Sequence, residues 1–163
     1  MTRIAMRCAL SGLLLTLALP LSAQQPVAPK LAAGPLSAAA RGAAATVDAF
    51  HAALRRGDTR SAAALLSDDV LIFEAGGVER SKAEYASHHL AADAAFTKAA
   101  PSVMTRRAGD ASGSFAWVAS EGRTTGSYNG KAVDRTTAET MMLRRVGRAW
   151  KIVHIHWSSG AKP

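Results

Sequence analysis

In the first half of the chain, apolar side chains recur three and four residues apart. Val47, Phe50, Ala53 and Leu54 follow this spacing, and Gly57 comes directly after two arginines. Residues three and four apart share one face of a helix, and a glycine after basic residues is typical of a helix end. The pattern therefore predicts an amphipathic helix that buries this face and ends at Gly57.

The next segment predicts a short helix and then a strand. Asp58 is placed to cap a second helix that runs through Leu65 and Leu66. Asp68 and the aspartate after it interrupt the helical pattern. The apolar run over residues 70–73 then predicts a strand.

A third helix is indicated by a capping box. Ser81 precedes Glu84 by three residues, the spacing at which the two side chains satisfy free backbone N–H groups of the first turn. We expect this helix to run past residues 88–89 toward Phe96. Pro101 cannot continue a helix, so the helix should end before it.

The second half of the chain alternates apolar and polar residues, which is the period of a half-buried strand. Asn129 and Gly130 separate two of these runs and form the strongest hairpin signal in the sequence, because both residues readily adopt positive φ. Helices followed by an antiparallel sheet predict an α+β domain whose helices cover one sheet face. The alternating runs are residues 103 onward, 115–121, 123–128, 131–146 and 149–157.

Residues 1–23 have the build of a secretory signal peptide. Arg3 and Arg7 precede a mostly apolar run over residues 9–19, and small residues follow at 22–23. This run is shorter than the ~20 residues that a membrane-spanning helix needs. We therefore expect a periplasmic or secreted protein without a membrane span after cleavage.

The rest of the chain divides into a leader and one domain. Residues 24–45 are rich in alanine, proline and glycine, with almost no large apolar side chain. Such a segment cannot bury enough surface to order itself, which predicts a flexible leader. Residues 46–163 are then expected to form a single domain.

Composition excludes several classes of function. The formal net charge is +8, but the basic residues are scattered, which disfavours nucleic acid as a partner. The single cysteine, Cys8, lies in the predicted signal peptide, so a mature domain would have no thiol for a disulfide or a thiolate metal site. The sequence also lacks a phosphate-binding loop, a metalloprotease motif and a nucleophile elbow, so nucleophilic hydrolysis is disfavoured.

The order of elements and the last strands resemble a known superfamily, the nuclear transport factor 2-like or SnoaL-like fold. Residues 67–70 and 150–157 carry the resemblance, and the last hairpin is similar to the association domain of calcium/calmodulin-dependent protein kinase type two. The resemblance implies a cone-shaped, curved antiparallel sheet wrapped around N-terminal helices, with a pocket beneath them and commonly a homodimer. It implies no single chemistry, since such folds host enzymes and assembly modules alike. The matching positions are Glu139, Thr140, Trp150, His154, His156, Ser159 and Gly160.

The register of the last hairpin predicts a catalytic pair. If residues 147–148 form a two-residue turn, counting outward sets Met141 opposite His154 and Glu139 opposite His156. A histidine beside a carboxylate in a partly dry cleft gains basicity and a fixed tautomer. Glu139 and His156 are therefore the predicted catalytic residues, with His154 and Met141 as ligand contacts. A cross-strand pair that only fixes the sheet register is the alternative.

The same strand suggests a metal site. His154 and His156 are two residues apart, so both side chains leave one strand face and can converge on one ion. A third ligand would come from His88 or His89, although adjacent helical residues diverge and only one should point inward. With Met141 nearby, a thioether and imidazoles would suit copper at least as well as zinc.

A third candidate lies around two glycines. Glu74 and Glu79 flank Gly76 and Gly77, and a two-residue loop there would set the two carboxylates opposite each other. A bound cation, a shared proton, solvent or the neighbouring Arg80 would relieve the repulsion. We therefore include both glutamates among the predicted ligand contacts.

Three functions follow from these observations. The leading hypothesis is an exported protein that binds a small ligand in a pocket and has the residues for acid–base catalysis. The second is a periplasmic metal-binding protein that handles copper or zinc. The third is a dimerisation or assembly module without catalysis.

Overall fold

The computed structural model describes residues 35–161. The predicted signal peptide, residues 1–23, and the first part of the predicted leader lie outside them. The elements in chain order are α1 (Arg41–Arg56), α2 (Thr59–Leu65), β1 (Leu66–Glu74), β2 (Gly77–Glu79), α3 (Lys82–His88), α4 (Leu90–Ala99), β3 (Ser102–Ser112), β4 (Phe115–Tyr128), β5 (Lys131–Val146) and β6 (Ala149–Ala161).

Helix α1 begins inside the segment that composition assigned to the leader. It starts at Arg41, and Ala40, Ala43 and Ala44 are buried. Alanine has the highest helix propensity, and its small side chain lets a helix pack closely, so an alanine-rich stretch beside a core is readily ordered. The helix ends as predicted at Gly57, which has φ 73°.

The predicted caps of α2 and α3 are confirmed. The Asp58 carboxylate accepts a hydrogen bond from the Ser61 N–H at 3.0 Å. The Ser81 hydroxyl accepts one from the Glu84 N–H at 3.0 Å, and Glu84 in turn accepts one from the Arg80 N–H at 2.7 Å. These bonds satisfy backbone donors that have no partner within the helix.

The predicted long third helix is wrong in one respect, because it is broken. Helix α3 ends at His88, and α4 begins at Leu90. His89 between them has φ −115° and ψ −29°, outside ideal helical values. The break changes the directions in which the flanking side chains point.

The six strands form one curved sheet in the order β2-β1-β6-β5-β4-β3. All neighbours are antiparallel except β1 and β6, which are parallel. The predicted hairpin at Asn129 and Gly130 is confirmed, with φ 50° and 74° and with Tyr128 paired to Lys131. Strand β1 is longer than the predicted run over residues 70–73, and β4 runs unbroken through two predicted segments.

A bulge in β6 overturns the predicted register of the last hairpin. Val146 pairs with Ala149 as expected, but the pairing then steps from Leu143–Ile152 to Met142–His154, leaving Val153 as an extra residue. One extra residue exchanges the sheet faces of every position beyond it. His156 therefore pairs with Thr140, and Glu139 pairs with Trp157.

The core lies between the helices and the inner face of the sheet. Phe50 on α1 and Tyr85 on α3 are almost fully buried there against side chains of the central strands. Within residues 35–161, no helix is long and apolar enough to cross a membrane. The fully buried side chains of the sheet include Val118, Met141, Leu143, Ile152 and Ile155.

Candidate active site

A cavity of about 830 Å³ lies among α1, α4, the β1–β2 turn and strands β3 to β6. Its volume is within the range of small-molecule sites. Leu54, Phe96, Met104 and Trp157 contribute apolar wall, and ionisable side chains are interspersed among them. The ionisable residues in the wall are Asp48, His51, Arg55, Glu74, Asp93, Arg107, Glu121, Arg135, Glu139 and His156.

A histidine and a glutamate are paired in this wall. His51 Nε2 on α1 lies 2.7 Å from Glu139 Oε2 on β5. The Glu139 side chain is 9% exposed and that of His51 is 26% exposed. Glu139 is thus the predicted carboxylate, but its partner comes from the first helix rather than the last strand.

A third group fixes the Glu139 carboxylate. The Trp157 indole N–H donates to the same oxygen, Oε2, at 2.7 Å, while Oε1 is buried without a hydrogen-bond partner. Burial would raise the Glu139 pKa, but the hydrogen bond and charge of His51 oppose it. Together with the Trp157 hydrogen bond and the Arg107 charge, they hold this pKa below its ordinary value. Glu139 therefore carries a negative charge at neutral pH.

An arginine joins the wall from the edge strand β3. The Arg107 guanidinium donates to Asp48 at 2.6 Å and to the Ser120 hydroxyl at 3.1 Å. Its side chain is 12% exposed, whereas that of Asp48 is 62% exposed. These two bonds hold a positive charge at the cavity wall, where it also acts on Glu139.

Two other carboxyl groups in the wall have raised pKa values, whereas that of Glu139 is lowered. Burial and the charge of Asp93 raise the pKa of Glu74. Burial also raises the pKa of Asp93, despite a hydrogen bond of 2.7 Å from the Tyr85 hydroxyl. One cavity therefore combines a carboxylate held ionised with two carboxyl groups that retain protons more readily.

The other predicted residues of the last hairpin do not form the predicted pocket cluster. Met141 is fully buried in the core. The His154 ring packs against Phe73 and its Nδ1 lies 2.9 Å from the Leu71 carbonyl oxygen. His156 borders the cavity, but its ring also packs against Phe73, and its side chain leaves β6 on the face opposite to its neighbours Ile155 and Trp157. The pairs Glu139–His156 and Met141–His154 are thus wrong.

Glu74 and Glu79 are not opposite each other. The turn comprises Ala75 and Gly76, both with positive φ, so Glu74 pairs with Gly77 and Glu79 pairs with Ile72. The two-residue loop begins one position earlier than predicted. Glu74 lines both the large cavity and a smaller one beside it, whereas Glu79 is buried and lines only the smaller one.

The predicted metal-ligating histidines lie at two different places in the structure, His88 and His89 at Glu79 and the other two on β6. His88 and His89 both contact Glu79. In the described part of the chain, the one group of three possible ligands within 4.8 Å of one another comprises Glu79, Glu84 and His88. That group contains neither His154 nor His156.

Among the ionisable residues of the site, His51, Asp93 and Arg107 were missed by sequence reasoning. A signal for His51 exists, because it follows Val47 by four residues and precedes Leu54 by three. It therefore lies at the edge of the apolar face of α1. No comparable signal marks Arg107, which is one arginine among many on the strands.

Comparisons with known proteins agree with this architecture. The SnoaL-like domain family matches residues 43–162. The structure of a candidate ketosteroid isomerase from Shewanella frigidimarina is 38% identical, with a TM-score of 0.69 over 72% of this chain and 94% of that one. No curated protein matches the chain.

Two more distant structures share the fold. A candidate dehydratase of the NTF2-like family from Streptomyces avermitilis is 19% identical, with a TM-score of 0.65 over 76% of this chain and 98% of that one. A candidate calcium/calmodulin-dependent protein kinase II association domain from Xanthomonas campestris is 21% identical, with a TM-score of 0.66 over 80% and 95% of the two chains. The predicted resemblance is confirmed, and the chain belongs to the SnoaL-like domain family of the NTF2-like superfamily.

Proposed function

We propose that this protein binds a small, largely apolar organic molecule in the 830 Å³ cavity and transfers a proton on it by acid–base catalysis. The observation that carries the proposal is the 2.7 Å pair of His51 and the buried Glu139 in the cavity wall. Two relatives described as a candidate isomerase and a candidate dehydratase have names that fit this reaction class.

His51 is the base in this proposal. The ionised Glu139 orients the imidazole by accepting the Nε2–H hydrogen bond, which leaves Nδ1 as the nitrogen with the free lone pair. Among the contacts of the described residues, His51 Nδ1 has no hydrogen-bond partner. When Nδ1 takes a proton from the bound molecule, the carboxylate stabilises the imidazolium that forms.

Asp93 or Glu74 supplies the acid. Both line the same cavity, and the pKa of each is raised by burial. A carboxyl group with a raised pKa holds its proton longer and can donate it to an oxygen of the bound molecule. The hydroxyl of Tyr85 is positioned to tune Asp93, since it donates to that carboxyl group at 2.7 Å.

The reaction is tested with a ketosteroid whose carbon–carbon double bond is one position out of conjugation with the carbonyl. Isomerisation creates a conjugated enone, which is followed by its ultraviolet absorbance. We expect His51→Ala to lower kcat/KM by about 10²- to 10⁴-fold, the usual contribution of a general base. His154→Ala is the matched control, because His154 does not line the cavity and its ring packs against Phe73.

Two results contradict the proposal. Turnover that survives in His51→Ala would exclude this residue as the base. A wild-type protein that neither binds nor isomerises the ketosteroid would exclude the chemistry suggested by the 38% identical relative.

We also propose that the outer sheet face mediates a homodimer. Trp117 pairs with Met142, and Met142 pairs with His154, so these side chains form a row across β4, β5 and β6. Met142 is 43% exposed. An apolar patch across several strands is typical of a protein interface, and the association-domain neighbour supports an assembly role.

The signal-peptide pattern of residues 1–23 further supports a location outside the cytoplasm.

A further inference from the structure

We propose that Glu79, Glu84 and His88, with His89 as a further donor, form a binding site for one divalent transition-metal cation. These residues line a cavity of about 420 Å³ between β2 and α3. None of the four lines the larger cavity that contains His51 and Glu139. The site is thus distinct from the pair of His51 and Glu139, and Glu74 lines both cavities.

The spacing of the donor atoms fits a shared ion. One possible ligand atom from each of Glu79, Glu84 and His88 lies within 4.8 Å of the other two. Glu79 Oε2 and His88 Nδ1 are 3.5 Å apart. Two ligands bound at 2.0 to 2.2 Å with a tetrahedral angle lie about 3.4 Å apart, so this pair needs little movement to bind one zinc-sized ion.

An unsatisfied buried oxygen supports a cation-binding site. The Glu79 side chain is 9% exposed, and its Oε2 is fully buried without a hydrogen-bond partner. A buried carboxylate oxygen without a partner is costly, whereas coordination to a cation would satisfy it. The atom that lacks a hydrogen bond is the one that lies near His88.

The break between α3 and α4 brings both histidines to this carboxylate. Adjacent residues of a continuous helix diverge by about 100°. With the break at His89, His88 Nδ1 and His89 Nδ1 both contact Glu79, one at each carboxylate oxygen. The rings are nearly perpendicular, with centroids 6.3 Å apart. The backbone thus presents two imidazoles to one buried acid.

The donor set selects the class of metal. Two imidazole nitrogens and two carboxylate groups suit zinc or copper(II), whereas calcium and magnesium prefer oxygen alone. Glu84 retains one oxygen for an ion, because the other accepts the Arg80 N–H. Met141, which suggested copper in the sequence, is fully buried in the core and takes no part.

The test is isothermal titration of the purified protein with zinc and with copper(II) chloride. We expect one ion per chain, with the dissociation constant raised at least tenfold by His88→Ala and by Glu79→Gln. The matched control is the double variant His154→Ala, His156→Ala, which should bind as the wild type does. Far-ultraviolet circular dichroism checks the fold of each variant.

The following results would contradict the proposed metal site. Absence of stoichiometric binding by the wild type would exclude it, as would binding that is unchanged in both single variants. Loss of binding in the control would assign the metal to the last strand instead. Should Glu79→Gln fail to fold, His88→Ala decides, because the His88 side chain is 59% exposed and carries little of the packing. Ketosteroid turnover is measured separately, so the two proposals fail independently.

Discussion

The pairing of His51 with Glu139 predicts a measurable coupling energy in protein stability. His51→Ala removes the donor 2.7 Å from Glu139 Oε2 and leaves the carboxylate with the Trp157 indole as its donor among the described contacts. A hydrogen bond to a charged group contributes about 1.5–3 kcal/mol. His51 is 26% exposed, so water from the cavity replaces part of the interaction, and we expect a loss of about 1–2 kcal/mol.

His51→Ala should lower the free energy of unfolding by less when the side chain at position 139 is neutral. Glu139→Gln keeps the shape and the accepting oxygen but removes the charge, so the hydrogen bond falls to about 0.5–1 kcal/mol. The coupling energy from the four proteins of a double-mutant cycle should therefore be about 1 kcal/mol. The four free energies of unfolding are measured by urea denaturation at pH 7, with equal m-values as the check on two-state behaviour.

The coupling should depend on pH in one direction. The pKa of Glu139 is held below its ordinary value of 4.5 in the folded protein. A carboxyl group with a lowered pKa stabilises the fold above its unfolded pKa, and this contribution is lost as the pH falls through the folded pKa. We expect the coupling to be present at pH 7 and to decrease as the pH falls below 4.5. A coupling under about 0.3 kcal/mol at pH 7, or one that persists unchanged at pH 2, would refute the reasoning.

Three further predictions concern packing, assembly and location. Gly109→Ala should lower the free energy of unfolding by about 1–3 kcal/mol, because its Cβ would lie 2.7 Å from the Trp117 carbonyl oxygen. Gly160→Ala, whose Cβ would lie 3.8 Å from its nearest neighbour, should change it by under about 0.5 kcal/mol in urea denaturation. Met142→Asp should convert a dimer to a monomer in sedimentation velocity, and a wild-type monomer at high concentration would contradict the proposed interface. Fractionation of a Gram-negative host expressing the full chain should recover the processed protein outside the cytoplasm, and an unprocessed cytoplasmic product would contradict export.

The sequence by itself determined the local elements. The end of α1 at Gly57, the caps at Asp58 and Ser81, and the turn at Asn129 and Gly130 depend on residues within a few positions of one another. Local signals of this kind act through backbone geometry and do not need the rest of the fold. Together with the alternating second half, they predicted an α+β domain, and the family resemblance supplied its curvature.

The composition of the site was decided by the tertiary structure. The single extra residue at Val153 reverses the faces of His154 and His156, and periodicity alone does not show a bulge. Glu139 was predicted, but its partner His51 lies on α1, far away in the sequence, and only the packing of that helix on the sheet brings the two together. The break at His89 likewise turns two diverging histidines toward Glu79. The sequence identifies the side chains that are available for chemistry. Their contacts depend on strand register and on packing between distant segments.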